Sequence, residues 1–115
     1  MQLYHSPFSG NSRKAVMATS LLGSDVELVV VDMLSGKNLA SEYVKLNAMG
    51  KLPTLVDGDL VLWESHAIMQ YLADKKPGNT LYPAEIAARA DVNRWLLVQR
   101  TLGRPAVDAR ASKRV

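Results

Sequence analysis

The stretch KLPTLVDGDLVLWESHAIMQYLADK, residues 51–75, decides the fold of this chain. Its first half holds two short apolar runs on either side of Asp57-Gly58, a pair that favours the turn of a β-hairpin. Its second half changes to apolar residues at helical spacing, and Pro77-Gly78 ends that pattern. We therefore predict two antiparallel strands followed by a helix over Ser65–Lys75.

The residues before this stretch predict a β-α-β unit. Gln2–His5 is a short apolar start, typical of a first strand. Ser12–Leu22 carries apolar residues at the spacing of a helix with one buried face, and Gly23 stops it. Val26–Val31 is rich in β-branched residues, which predicts a buried strand. Because a helix separates the two strands, we expect them to be parallel with a right-handed crossover. Further along the chain we predict a short helix over Ser41–Leu46.

Together these elements give the order β-α-β–β-β-α, a compact α/β domain that we place at residues 1–80. Residues 81–83 form the predicted linker. Residues 84–115 are predicted to be one helix, over Ala84–Leu102, and a basic tail. A single helix cannot bury its own apolar stripe, which includes Trp95. We expect it to pack on the α/β domain, on a partner chain, or on helices that this chain lacks.

The composition is that of a soluble globular domain, with 115 residues of which 48% are hydrophobic. Residues 1–103 carry ten Lys or Arg and ten Asp or Glu, so the net charge of +3 comes from residues 104–115. A domain that binds nucleic acid carries its basic excess on a folded face, so we expect no nucleic-acid partner. No apolar run is long enough to span a bilayer and no secretory signal opens the chain, which predicts a cytoplasmic protein without a membrane partner.

The chain contains no cysteine. This excludes structural disulfides, Cys-based metal sites and dithiol redox chemistry. The two histidines, His5 and His66, have no third ligand beside them in the sequence, so we expect no metal site.

Three motifs, at their spacing, resemble the glutathione transferase family, in particular its serine-type members of the bacterial, theta and delta kinds. They are Ser9-Gly10-Asn11-Ser12, where thioredoxin-like domains carry Cys-x-x-Cys, then KLPTLVDGD from residue 51 and LWESHAIMQYLADK from residue 62. The resemblance covers residues 1–82, and residues 84–102 look like the first helix of the family's all-helical second domain. It implies a thioredoxin-like fold followed by a truncated helical domain, and a homodimer if that domain is present.

The resemblance implies a detoxification enzyme that binds glutathione and stabilises its thiolate for attack on an electrophilic, mostly hydrophobic co-substrate. Glutathione is then a co-substrate, and no cofactor is expected. The alternative is a non-catalytic thioredoxin-fold module that binds glutathione or a protein, because most of the helical domain is missing. A redox protein is excluded because there is no cysteine.

Ser9 is the candidate catalytic residue. From the local sequence alone it is a loop serine that caps the first helix. The resemblance places it where redox relatives carry the attacking cysteine, and a hydroxyl that donates a hydrogen bond to bound sulfur favours the thiolate. Two alternatives stay open: Tyr4, since some branches of the family use a tyrosine near the end of the first strand, and Ser12. Asn11 is a further candidate for a donor near the sulfur.

Lys51, Leu52 and Pro53 are candidates for binding the peptide part of glutathione. Most X-Pro bonds in folded proteins are trans, whereas the resemblance implies a cis Leu52–Pro53 bond facing the active site. The backbone N–H and C=O of Leu52 would then pair with an extended peptide ligand by strand addition. Lys51 is either the partner of a ligand carboxylate or a solvated surface lysine.

Glu64, Ser65 and His66 lie where the chain enters the helix predicted over Ser65–Lys75. From the residues alone, Ser65 is an N-cap and Glu64 is an acid favoured near the positive helix end. The N–H groups at a helix start also bind anions. The resemblance implies that Ser65 and this backbone hold the carboxylate of the γ-glutamyl residue, that Glu64 pairs with its ammonium group, and that His66 contacts the ligand at the rim.

Overall fold

The computed structural model describes residues 1–113, with the side chains of residues 1–99. Its elements, in chain order, are strand β1 (Gln2–His5), helix α1 (Gly10–Leu22), strand β2 (Glu27–Val30), a 3-10 turn (Lys37–Leu39), helix α2 (Ser41–Val44), strands β3 (Thr54–Asp57) and β4 (Leu60–Trp63), and helices α3 (Ser65–Lys75) and α4 (Ile86–Lys113). The predicted order β-α-β–β-β-α, followed by one long helix, is confirmed.

The four strands form one sheet in the order β2-β1-β3-β4. β1 and β2 are parallel, as the helix between them predicts. β3 is antiparallel to both β1 and β4. β3 and β4 follow each other across Gly58-Asp59, so the predicted hairpin is confirmed.

One face of the sheet holds the larger apolar core. Leu3 and Leu55 are paired across β1 and β3, and both are 0% exposed. Helices α1 and α3 pack on this face and on each other. They contribute Ala15, Ile68 and Leu72, all buried, so the helical spacing that predicts these helices also marks their core-facing sides.

The opposite face carries a smaller cluster. The side chains of Val31, Tyr43 and Leu52 are buried together, and Tyr4 of β1 packs against them. The Tyr4 and Tyr43 rings meet edge to face, with their centroids 6.2 Å apart. Helix α2 therefore lies on the side of the sheet away from α1 and α3.

β2 differs from the prediction of a buried strand. It is an edge strand, and its residues Leu28 and Val30 are 46% and 65% exposed. β-branched residues favour extended backbone at the edge of a sheet as well as at its centre, so the composition predicts the strand but not its position.

α4 is longer than predicted, since it continues past Leu102 to Lys113. The pattern predicts an earlier end because Gly103 and Pro105 interrupt it. The stretch 106–111 is rich in alanine, the strongest helix former, and this favours continuation. Within the described part of the chain, no helix has the length and apolarity needed to cross a bilayer.

The contacts divide the chain into two compact units, Met1–Asn79 and Thr80–Val115. In the second unit, Tyr82 ties the segment before α4 to that helix. Its hydroxyl donates a hydrogen bond to Oδ1 of Asn93 at 2.7 Å, and the Arg89 guanidinium lies 3.8 Å from the centre of its ring. The start of α4 is thus fixed by contacts within its own unit.

Candidate functional site

The sheet brings the predicted site segments to one edge. β3 is antiparallel to both β1 and β4. The C-terminal ends of β1 and β4 and the N-terminal end of β3 therefore lie along the same edge of the sheet, the one formed by strand ends. The register fixes the arrangement, because Tyr4 pairs with Thr54 and Thr54 pairs with Trp63. The start of α1, the loop before β3 and the start of α3 therefore meet there.

Ser9 is the N-cap of α1, as its capping role predicts. Its Oγ accepts a hydrogen bond from the N–H of Ser12 at 3.1 Å. That bond uses an oxygen lone pair and leaves the hydroxyl proton to donate, and within residues 1–99 it donates to no other group. Ser9 also stands at the positive end of the α1 dipole. It therefore offers a hydrogen-bond donor in a region of positive potential.

The alternative sulfur contacts are less well placed. Tyr4 packs on the sheet face away from α1, where its hydroxyl lies 3.5 Å from Oε1 of Gln2. Ser12 is 0% exposed on the buried side of α1, and its Oγ has no hydrogen-bond partner among the described residues. Asn11 is exposed in the first turn of α1. Of the two serines, Ser9 is partly exposed and Ser12 is not.

The loop before β3 presents the backbone of Leu52. The Leu52–Pro53 bond is cis, as the resemblance implies. The Leu52 side chain is buried, whereas the neighbouring Lys51 side chain is exposed. Within residues 1–99, neither the N–H nor the C=O of Leu52 makes a hydrogen bond. An extended peptide would find one donor and one acceptor here.

The N-cap of α3 is Glu64, which corrects the prediction that Ser65 occupies this position. β4 ends at Trp63 and Ser65 already has helical backbone, so the cap falls on the residue between them. Glu64 has φ +83° and makes no capping hydrogen bond with its side chain. Ser65 is 3% exposed, and its hydroxyl bonds to no group within residues 1–99. His66, in the first turn, is half-buried.

Sequence reasoning missed three buried polar residues behind the loop. Tyr43, Asn47 and Thr54 are 5%, 1% and 0% exposed. Asn47 lies beyond the end of α2, but its N–H donates to the Tyr43 carbonyl at 3.0 Å, as in a helical turn, so the two side chains project together. Both reach the carbonyl oxygen of Lys51 and Oγ1 of Thr54. The one signal in the sequence is this Tyr-x-x-x-Asn spacing just before the loop.

Metal-ligating side chains do not gather in the described part of the chain. His5 lies in β1 and His66 in α3, and no three His, Asp or Glu side chains come together in that part. What the edge offers a ligand is hydroxyl and backbone hydrogen-bonding groups, the Glu64 carboxylate and two helix N-termini. These groups suit a peptide with charged ends.

A four-stranded mixed sheet in the order β-α-β–β-β-α, with a cis-proline before its third strand, defines a thioredoxin-like domain. The family model for the glutathione S-transferase N-terminal domain matches residues 1–74. The chain therefore belongs to the glutathione transferase family, through that domain.

Individual relatives support this family assignment. The chain is 41% identical over 90 residues to glutathione S-transferase 1 of Dianthus caryophyllus, covering 78% of this chain and 41% of the relative. It is 37% identical over 98 residues to glutathione S-transferase D7 of Drosophila melanogaster, covering 84% and 44%. The structure of human glutathione transferase theta-2 in complex with glutathione superposes with a TM-score of 0.82 and 36% identity, covering 86% of this chain and 41% of that one. The chain thus spans less than half the length of these relatives.

Proposed function

We propose that this edge of the sheet binds glutathione and that the chain supplies the glutathione half of a glutathione transferase. The observation that carries the proposal is the register joining Tyr4, Thr54 and Trp63. Neighbouring strands lie about 4.8 Å apart, so three strands span roughly 10 Å. An extended tripeptide has about the same length.

Each part of glutathione meets a matching group. At the γ-glutamyl end, the Glu64 carboxylate pairs with the ammonium group. The Ser65 hydroxyl and the N-terminus of α3 hold the adjacent carboxylate. The central residue pairs with the backbone of Leu52, as in strand addition. Lys51 neutralises the far carboxylate, and His66 contacts the ligand at the rim.

Ser9 acts on the sulfur. A free thiol has a pKa of about 8.5 and is mostly protonated at neutral pH, whereas the thiolate is the nucleophile. The Ser9 hydroxyl donates a hydrogen bond to the sulfur, and the α1 N-terminus adds positive potential. A fall of two units in the thiol pKa corresponds to about 2.7 kcal/mol. One charge-assisted hydrogen bond supplies most of that free energy.

The thiolate then attacks an electrophilic carbon of a hydrophobic co-substrate. A sulfur–carbon bond forms while the bond to the leaving group breaks, and the leaving group takes the electron pair. Glutathione is consumed as a co-substrate, and no resident cofactor enters the proposal. A homodimer and a cytoplasmic location complete it, both on the family resemblance.

Turnover of an activated aryl halide tests the proposal. We expect the wild type to convert it and Ser9→Ala to lose roughly 25-fold in kcat at pH 7, because a thiol pKa of about 8.5 instead of about 6.5 lowers the thiolate fraction from about three quarters to about 3%. Glutathione affinity, measured by calorimetry, should change little. Glutathione binding without turnover in the wild type would contradict the transferase and leave a binding module.

Two further variants separate the chemistry from helix capping. Ser9→Gly removes the hydroxyl while costing only a few tenths of a kcal/mol of capping stability, so it should be as inactive as Ser9→Ala. Ser12→Ala makes the same change three residues later, where the hydroxyl is buried without a partner. It should keep full turnover with equal or greater thermal stability. A loss confined to Ser12→Ala would move the role to that residue.

A further inference from the structure

We propose that Tyr43, Asn47 and Thr54 are positioning residues that aim the Leu52 N–H at the bound peptide through a closed ring of hydrogen bonds. The inference rests on the proposed glutathione site, because the ring itself touches no ligand. It assigns a role to residues that lie behind the loop rather than on its surface.

The four contacts admit one arrangement of protons. The Lys51 carbonyl only accepts, so the Tyr43 hydroxyl and the Asn47 amide, 3.0 Å away, both donate to it. The Asn47 amide donates its second N–H to Thr54 Oγ1 at 3.3 Å. The Tyr43 proton is already used, so Thr54 donates its own to the Tyr43 oxygen at 2.7 Å. Four hydrogen bonds then close the ring, and each hydroxyl both donates and accepts.

The ring is buried and fully protonated. Its three side chains are 5% exposed or less, so a bond lost from the ring is not replaced by water. Burial raises the pKa of the Tyr43 hydroxyl, which keeps its proton for the Lys51 carbonyl. Asn47 is itself fixed, because its Oδ1 accepts from the N–H of Met49 at 3.0 Å.

Holding the Lys51 carbonyl sets the direction of the next N–H. Leu52–Pro53 is the one cis bond within the described residues, so the Lys51–Leu52 peptide is trans. In a trans peptide the C=O and N–H point in opposite directions. Because the ring holds the Lys51 oxygen towards the buried side chains, the Leu52 N–H points away from them. This is the donor that the proposed peptide ligand uses.

A second contact holds the other end of the loop. The Asn38 amide donates to the carbonyl oxygen of Gly50 at 2.8 Å. Gly50 has φ +64°, and a Cβ there would lie 2.8 Å from Cδ2 of Leu39. The loop is therefore pinned on both sides of Lys51, and the ring supplies the bonds nearest to Leu52.

Thr54→Val tests the ring, because it removes the hydroxyl and keeps the branched shape. We expect glutathione to bind about tenfold more weakly, the factor for one unsatisfied buried group, with KM for glutathione raised and kcat nearly unchanged. Thr54→Ser restores a hydroxyl and should restore the affinity. If Thr54→Val fails to fold, Tyr43→Phe opens the ring at another bond and should give the same KM effect.

Thr19→Val is the matched control. Thr19 is also buried, and its hydroxyl donates to the carbonyl of Val16 at 2.6 Å in the second half of α1. This variant should lose stability without losing glutathione affinity. Equal effects of Thr19→Val and Thr54→Val on affinity would reduce the ring to a stability element and overturn the inference.

Backbone ¹⁵N relaxation tests the ring without glutathione. The Leu52 amide should be ordered in the wild type and in Thr54→Ser, and its order parameter should fall in Thr54→Val. An unchanged Leu52 order parameter would overturn the inference, whatever the ligand. A wild type with an ordered Leu52 that binds no glutathione would instead refute the proposed function and leave the ring intact.

Discussion

Glu64 combines a strained backbone with a proposed binding role. Its φ of +83° is a conformation that side chains other than glycine rarely adopt, and such residues cost of order 1–3 kcal/mol. The conformation persists because Trp63 belongs to β4 and Ser65 to α3, which fixes the chain on both sides. The backbone at Glu64 is thereby fixed at the sheet edge before a ligand arrives.

Glu64→Gly and Glu64→Ala separate strain from binding. Both lose the partner of the ligand ammonium group, so both should bind glutathione more weakly. Glycine relieves the backbone and alanine does not, so we expect Glu64→Gly to be more stable than Glu64→Ala by about 1 kcal/mol in urea denaturation. The usual order, with alanine more stable than glycine, would contradict the strain. Unchanged glutathione affinity in both variants would contradict the binding role.

At this scale the sequence predicts roles that depend on the local chain and misses those that depend on packing. The capping role of Ser9 is predictable because it needs only a serine directly before the first helix. The N-cap position of Glu64 is not predictable from the sequence, because it depends on how sharply the chain leaves β4. The burial of Ser12 and the ring around Thr54 depend on packing, since the ring joins side chains that are 4 to 11 positions apart in sequence.

Among the elements, the hairpin and α3 are joined at the end of the sheet away from the site. Asp57 closes β3, and its carboxylate accepts hydrogen bonds from the Tyr71 hydroxyl at 2.5 Å and the Lys75 ammonium at 2.6 Å. Hydrogen bonds from Lys75 and Tyr71 hold the pKa of Asp57 below its usual value. This junction links the last turns of α3 to the strand that carries Thr54 at its other end.

The Asp57 junction predicts a loss of stability in acid. An aspartate with a lowered folded pKa adds stability that is complete above its unfolded value of about 4 and is lost as the pH falls through the folded value. The free energy of unfolding, from urea titrations, should therefore fall below about pH 5 in the wild type and less steeply in Asp57→Asn. Asp59→Asn removes the same charge from the exposed hairpin turn as a control. Parallel pH profiles for Asp57→Asn and the wild type would contradict this.

The elements themselves were largely predictable from the sequence. Asp57-Gly58 between two apolar runs predicts the hairpin, and helical spacing predicts α1 and α3, because local chain chemistry governs both. The exposure of β2 was not predictable, since it depends on which strand the sheet places at its edge. The length of α4 was not predictable, because two opposing signals follow Leu102. Gly103 and Pro105 predict an end there, whereas the alanines of residues 106–111 favour continuation to Lys113.

For the whole molecule, all the proposed glutathione groups lie within the first unit, Met1–Asn79. Ligand binding should therefore stabilise that unit directly. At 100 times its Kd, glutathione adds about 2.7 kcal/mol, which raises the Tm of a domain of this size by roughly 10–20 °C.

S-Methylglutathione keeps both charged ends and the peptide backbone but forms no thiolate for Ser9 to stabilise, so it should give most of the shift in Tm in a thermal melt. Cysteinylglycine lacks the γ-glutamyl end that Glu64 and Ser65 receive, and it should give a much smaller shift at equal concentration. A shift that cysteinylglycine reproduced in full would contradict the binding role of Glu64 and Ser65.

The position of Thr54 couples glutathione binding to the register of β3. Its backbone pairs with both Tyr4 and Trp63, and its side chain closes the ring behind Leu52. A one-residue slip of β3 would turn the Thr54 hydroxyl to the opposite face of the sheet. The ring would then open, and the Leu52 N–H would no longer be held towards the ligand. Only the native register can then hold the peptide, so glutathione would draw misregistered chains back towards the correct pairing.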